Sequence, residues 1–225
     1  MKQVLPVLMS AVRCAEPKRL TGIASTLGSF LFRFGTVGQR RNNELETVLA
    51  KLAQDLNLGK VTNVTGVCRA LQHLYPDDTQ FESDFTRWSV VATGPKKKLA
   101  KFLLCELEAT ATGAEARYDA NSLTLEHILP LSQGHDGLEN RFGNYALLEK
   151  SLNHQASSSW LKKKSLYSQS QMFLTRSIQA DVWNDRAIEE RQKELAKLAV
   201  RRFRIASDDS CSPDQGPARQ GRFTM

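Results

Sequence analysis

Residues 123–130 read LTLEHILP, and residues 141–153 read RFGNYALLEKSLN. The first stretch is short, apolar and rich in strand formers, and Pro130 ends it because proline brings no N–H to a ladder. Residues 132–140 (SQGHDGLEN) form a Gly-rich polar loop. In the second stretch Gly143–Asn144 marks a turn, and residues 145–148 a second short strand. A helix then starts on the way to Asn153. Two short strands followed by a helix, set in an otherwise helical chain, predict a small ββα unit.

Outward from that unit the periodicity is helical. Leu45, Val48, Leu49, Leu52 and Leu56 recur three and four apart behind Asn42 and Asn43, which suit a cap, and Asn57 and Gly59 stop the run. Val67, Ala70, Leu71 and Leu74 make a shorter apolar face that ends at Pro76. Phe81, Phe85 and Trp88 share the period and read as packed core. Gly94 and Pro95 open a helix that carries Lys96, Lys97 and Lys98 and runs through Leu107. Residues 109–122 are a small, polar connector. Beyond the ββα unit, residues 160–178 and 182–203 each read as a helix, the second with Ile188, Arg191, Leu195 and Leu198 on one face. Residues 207–225 have little to bury and read as a disordered tail. The expected organisation is mainly α: a helical N-terminal region (1–112), a catalytic region (113–206) holding the ββα core, and the tail.

Composition bounds the function. The 225 residues can bury a sizeable core, and no run approaches the roughly 18 apolar residues of a membrane span. The N-terminal stretch carries Pro6 and Arg13 and reads as a first helix over residues 4–12 rather than a secretory signal. The four cysteines, Cys14, Cys68, Cys105 and Cys211, form no CxxC pair, which argues against a zinc ribbon or a disulfide framework and fits reduced thiols in a cytoplasm. Lys and Arg number 31 against 24 Asp and Glu, a net charge of +7, so a polyanion is a natural partner: nucleic acid, or less often an acidic membrane face, against the plainer reading of a basic protein with no nucleic-acid role; the partner expected from the whole sequence is DNA and no membrane.

The residues with chemistry sit close together. His127 follows the first strand, and an imidazole with an ordinary pKa near 6.5 suits proton abstraction at neutral pH. Glu126 beside it offers a hard oxygen, and Asn153 an amide oxygen from the following helix. That pair, with waters, suits Mg²⁺ or Mn²⁺ rather than zinc. Lys162, Lys163 and Lys164 lie just beyond, where they could meet a phosphate. A base, a hard cation and positive charge together fit phosphodiester hydrolysis. Each residue alone has a plainer reading: His127 as a surface histidine, Asn144 as a turn, Asn153 as a cap, the lysines as a solvated face. It is their combination that points to catalysis.

The segment LEHILPLS…GNYALLEKSLN resembles the HNH, or ββα-metal, nuclease motif, in which an acidic residue and His precede I-x-P. More closely, EHILP, GNYALL, LN, WLKKKSLY and then Trp183, Ile188 and Arg191 are similar to the C-terminal nuclease domain of GmrSD-type modification-dependent restriction endonucleases. The likeness covers residues 95–200. It implies a DNA endonuclease of restriction and phage defence, with His127 as general base and Asn144 orienting that histidine or bracing the loop. It implies Glu126 and Asn153 as metal ligands, although Asp is common at the first position and His at the second. His154 is a fallback ligand that reads more simply as an exposed helical residue, and His135 reads as a solvated loop residue, with contact to DNA the lesser alternative. Lys162, Lys163, Lys164 and Arg176 are expected to contact the DNA backbone.

Full-length members of the family carry an N-terminal nucleotide-hydrolysing domain that resembles ParB-like folds. This chain begins too late to contain one, and residues 1–112 hold no G-x-x-x-x-G-K-[ST] loop. The expectation is therefore either a nuclease subunit with a separate NTP-hydrolysing partner or a truncated descendant. The rival readings are a DNA-binding module that has lost activity, a subunit silent without its partner, and an RNA-cutting toxin.

Overall fold

Amphipathic helices carry most of the chain. The computed structural model describes residues 2–40, 43–113, 122–133, 137–155 and 159–205, which fall into two compact units. Asn42, His135, Cys211, most of the expected connector and the expected tail lie outside the described residues.

The first unit comprises Met1–Tyr75 with Arg204–Met225. It contains α1 (Leu5–Cys14), α2 (Pro17–Leu31), a π-helical turn over Phe32–Val37, α3 (Asn43–Asn57) and α4 (Val64–Leu71). Pro6 and Pro17 occupy first turns, where a missing N–H costs nothing. Asn63 caps α4 by accepting from the Gly66 N–H at 2.9 Å. Ile23, Phe30, Leu49, Leu52, Val67 and Leu71 fill the core. Gly22 lets α2 and α4 touch, since a Cβ there would sit 2.8 Å from Val64 Cγ2. The chain returns to this unit at its far end, where the Ile205 N–H donates to the Tyr75 hydroxyl.

The second unit is Pro76–Phe203. It contains α5 (Asp78–Arg87), α6 (Gly94–Thr112), β1 (Leu123–His127), β2 (Tyr145–Glu149), α7 (Lys150–Asn153), α8 (Trp160–Tyr167), α9 (Phe173–Arg176) and α10 (Asp185–Arg202). The two strands pair antiparallel, from Leu123 opposite Glu149 to His127 opposite Tyr145. This is the expected ββα unit, with α7 packed against both strands. The sheet does not stand alone: α6 covers β1 and β2, and α10 packs on α5, α6 and the turn at Phe142–Asn144. Ala146 and Leu148 join Ile128, Tyr167, Ile178, Trp183 and Ile188 in one core. Phe81, Phe85 and Trp88 are buried as expected, and Phe142 stacks among them with ring centroids 5.5 Å from Phe85 and 5.2 Å from Trp88.

Two features differ from the sequence reading. The unit that holds the strands starts at Pro76, whereas the expected boundary stood at residue 112. Helices α5 and α6 belong to it because their apolar faces pack on α10 and the sheet. The expected helix over 160–178 is also broken. The Glu149 carboxylate accepts from Ser170 Oγ at 2.9 Å and from the Gln171 N–H at 2.7 Å, drawing the polar SQSQ run out of the helix. Glu108, buried in α6, then receives the Phe173 and Leu174 N–H groups and starts α9.

Candidate active site around His127

The loop that leaves β1 at His127 is held by side chains from elsewhere in the unit. Asn144 is fully buried. Its Oδ1 accepts from the Leu129 N–H at 2.7 Å and from Trp183 Nε1 at 3.0 Å, and its Nδ2 donates to the carbonyls of Leu129 and Glu139, each at 3.0 Å. All four amide hydrogen-bonding positions are used, which locks the side chain in one orientation. None of these bonds reaches the His127 ring. They tie the backbone of Leu129 and Glu139 and the Trp183 indole to one side chain.

Gly143 makes the turn possible. A Cβ on it would run into the Ile188 carbonyl oxygen and lie 2.9 Å from Gln192 Cβ, so α10 rests directly on this backbone. The Gly143 N–H donates to Gln192 Oε1 at 3.0 Å. Arg191 Nη1 donates to the carbonyls of Gly143 and Tyr145, both at 2.6 Å. The buried Gln192 also donates to the carbonyls of Phe85 and Trp88 at 2.7 and 2.8 Å, tying α5, the turn and α10 together. Sequence reasoning did not single out Gln192, because one polar residue inside a charged helix gives no periodic signal. Trp183, Ile188 and Arg191 gain a structural reason: they fix the turn that shapes the histidine loop.

His127 is half-buried at the end of β1. Its ring meets the Tyr145 ring edge-on, with centroids 4.7 Å apart. Its Nε2 is buried and has no hydrogen-bond partner among the described residues. Burial holds the imidazole pKa below its ordinary 6.5; the Glu126 carboxylate pulls the other way, the Lys163 and Lys97 ammonium groups push it further down, and Glu139 opposes them. The ring is thus neutral at physiological pH, the form a base needs. Glu139, absent from the sequence-level candidates, has a buried Oε2 without a partner among the described residues and a charge that acts on His127. Its place in a polar loop hid it.

Lys163 is not a surface cation. It is 3% exposed, and its Nζ donates to Glu126 Oε1 at 2.6 Å and to the carbonyls of His127 and Ile128 at 2.5 and 3.1 Å. The expected contact of Lys163 with DNA is therefore replaced by a tether on the backbone of His127. Helix α8 turns this lysine inward while its neighbours face out, since adjacent helical residues point about 100° apart. Lys164 pairs with Asp181 at 3.1 Å, Arg176 donates to the Ser170 carbonyl at 2.7 Å, and Lys162 is exposed without an ion-pair partner among the described residues.

Among the described residues no group of three His, Cys, Asp or Glu could hold a metal, so a cation here would have few protein ligands. Glu126 Oε1 is occupied by Lys163, while Asn153 at the end of α7 makes no side-chain hydrogen bond among the described residues. A carboxylate oxygen and an amide oxygen are the hard donors that suit Mg²⁺ rather than zinc. His154 is exposed beside Asn153.

No helix among the described residues is long and apolar enough to cross a membrane. No curated protein matches the chain. Residues 75–198 match the family described as GmrSD restriction endonucleases, C-terminal domain, a span that takes in α5 to α8, the loop of His127 and most of α10. Over more than half its length, and with the whole of its histidine loop inside the match, the chain belongs to the family of GmrSD restriction endonuclease C-terminal domains.

Proposed function

We propose that this protein is a metal-dependent endonuclease that hydrolyses DNA phosphodiester bonds with His127 as the general base, in restriction of foreign or modified phage DNA in the cytoplasm. The family supports a nuclease of restriction. The observation that carries the finer reading is the His127 imidazole, kept neutral by burial and with an unpartnered Nε2 at the end of a braced loop.

In this reading the His127 imidazole takes a proton from a water, which attacks phosphorus in line with the leaving oxygen. Asn153 and the second oxygen of Glu126 would hold Mg²⁺ or Mn²⁺, which supplies positive charge to the phosphate when bound. Lys163 fixes the backbone of His127 and the Glu126 carboxylate, and so acts through those residues. Tyr145 sets the plane of the imidazole by ring contact, and its own hydroxyl is tied to the Val90 carbonyl at 2.7 Å. Asn144 keeps Leu129 and Glu139 in place. Lys162 is the remaining cation of its run that is free to meet DNA, and a separate NTP-hydrolysing subunit is the expected partner.

Supercoiled plasmid with Mg²⁺ or Mn²⁺ tests the reading, with His127→Ala and EDTA as controls. Cleavage that disappears in both controls is the expected result. Cleavage that survives His127→Ala overturns the role of the base. If plasmid stays intact, hydroxymethylated and glucosylated phage DNA is the decisive substrate, and no cleavage of it with either metal overturns the nuclease reading for the isolated chain.

A further inference from the structure

Three lysines that the nuclease motif does not include stand at the start of α6. Lys96, Lys97 and Lys98 are all exposed in the first turn of α6. That turn contains no acidic residue, and none of the three has an ion-pair partner among the described residues. Other basic side chains of this unit are already engaged: Lys163 with Glu126 and two carbonyls, Lys164 with Asp181, Lys101 with the Leu123 carbonyl, and Arg191 with two carbonyls.

The backbone brings these lysines to the histidine. His127 pairs with Tyr145 across the sheet, and their rings touch. The Tyr145 hydroxyl donates to the Val90 carbonyl at 2.7 Å, and the Val90 N–H donates to the Asn140 carbonyl at 2.9 Å. Val90 stands three residues before Thr93, the N-cap of α6. The start of α6 is thus stitched to the strand partner of the base.

The direction of α6 agrees. Lys101 Nζ reaches the Leu123 carbonyl, at the start of β1, at 2.6 Å. Lys97 lies one turn earlier on the same face of α6. The Lys97 charge is felt at the His127 ring. Glu126 and Glu139 are the acidic groups that also act on that ring, and the former is paired with Lys163.

We infer that Lys97, flanked by Lys96 and Lys98, forms a clamp for the backbone phosphates of duplex DNA beside His127. The clamp rests on the nuclease reading for its purpose, but its binding is separable from cleavage. Three ammonium groups on one exposed turn, without ion-pair partners among the described residues, suit a polyanion, and lysine meets phosphate as a point charge without demanding a base sequence. The clamp would hold the substrate strand where the histidine can reach it and would contribute no base readout.

Fluorescence anisotropy with a short labelled duplex in EDTA, over a salt series, measures the clamp without hydrolysis. Removing the ammonium that neutralises one phosphate should flatten the log–log salt slope by about 0.9. Lys97→Ala is expected to flatten it by that amount, the triple Lys96→Ala/Lys97→Ala/Lys98→Ala variant by more, and Lys97→Arg not at all. Lys60→Ala, which removes an equal charge from the other unit, should leave the slope unchanged. A wild-type slope in Lys97→Ala overturns the clamp, as does equal flattening in Lys60→Ala or no duplex binding by the wild-type protein. Plasmid cleavage separates the two readings. An unchanged slope with His127-dependent cleavage removes the clamp alone, whereas a flattened slope in a protein that cleaves nothing keeps the clamp and removes the nuclease reading.

Discussion

Replacing Lys163 by methionine keeps the aliphatic stem and removes the ammonium that donates to Glu126, His127 and Ile128. The lysine side chain is 4% exposed and that of Glu126 17%, so the carboxylate left behind is poorly solvated. Removing one partner of a buried ion pair costs about 3–5 kcal/mol, and the partial exposure of Glu126 favours the lower end. For a unit of this size that is a fall in Tm of about 10 °C or more. Thermal unfolding followed by circular dichroism reads it directly. The double variant Lys163→Met/Glu126→Gln leaves no uncompensated charge and should recover part of the stability, giving a coupling between the two sites of about 1 kcal/mol or more. Cleavage by Lys163→Met should fall through kcat rather than KM, because the lysine holds the base and not the substrate. A lysine that contacts DNA would behave in the opposite way: stability would change by less than about 0.5 kcal/mol, and the salt slope of DNA binding would flatten by about 0.9. That pattern would refute the tether.

Two further outcomes follow from the same loop. Gly143→Ala must move α10 away from the turn, because the Ile188 carbonyl and Gln192 occupy the space of a Cβ. A destabilisation of about 1–3 kcal/mol in urea unfolding is expected, and a neutral substitution would show that the turn and α10 are not packed as described. His127 has a pKa below 6.5 in the folded protein, so the unfolded chain takes up a proton more readily. Its unfavourable contribution is absent well above 6.5 and grows as pH falls through 6.5 toward the folded value, and His127→Gln should lose less stability than wild type on that descent. Over the same range kcat/KM should be flat at neutral pH and drop only below 6.5; an inflection above 6.5 would contradict a depressed histidine.

The local chemistry of the sequence determined the small sheet and most of the helices. The apolar run ending at Pro130 and the Gly143–Asn144 turn placed β1 and β2, and the spacing of Leu45, Leu49, Leu52 and Leu56 placed α3. The pattern EHILP also marked His127, because a base after a strand and before a proline is a local signal. Tertiary packing decided the rest. Three successive lysines look alike in a sequence, yet α8 turns Lys163 onto carbonyls of the β1 loop and leaves Lys162 in solvent. The sequence could not say what the Asn144 side chain meets, and only the fold brings Leu129, Glu139 and Trp183 to it. Gln192 and Glu139 carry no local signal, since their partners lie across the fold or in a polar loop. The first turn of α6 comes beside the base through a tyrosine hydroxyl 55 residues away from the carbonyl it reaches. Periodicity and turn chemistry act between near neighbours and can be read along the chain. Which way a polar side chain points, and whether water still reaches it, depends on elements that meet only when the chain folds.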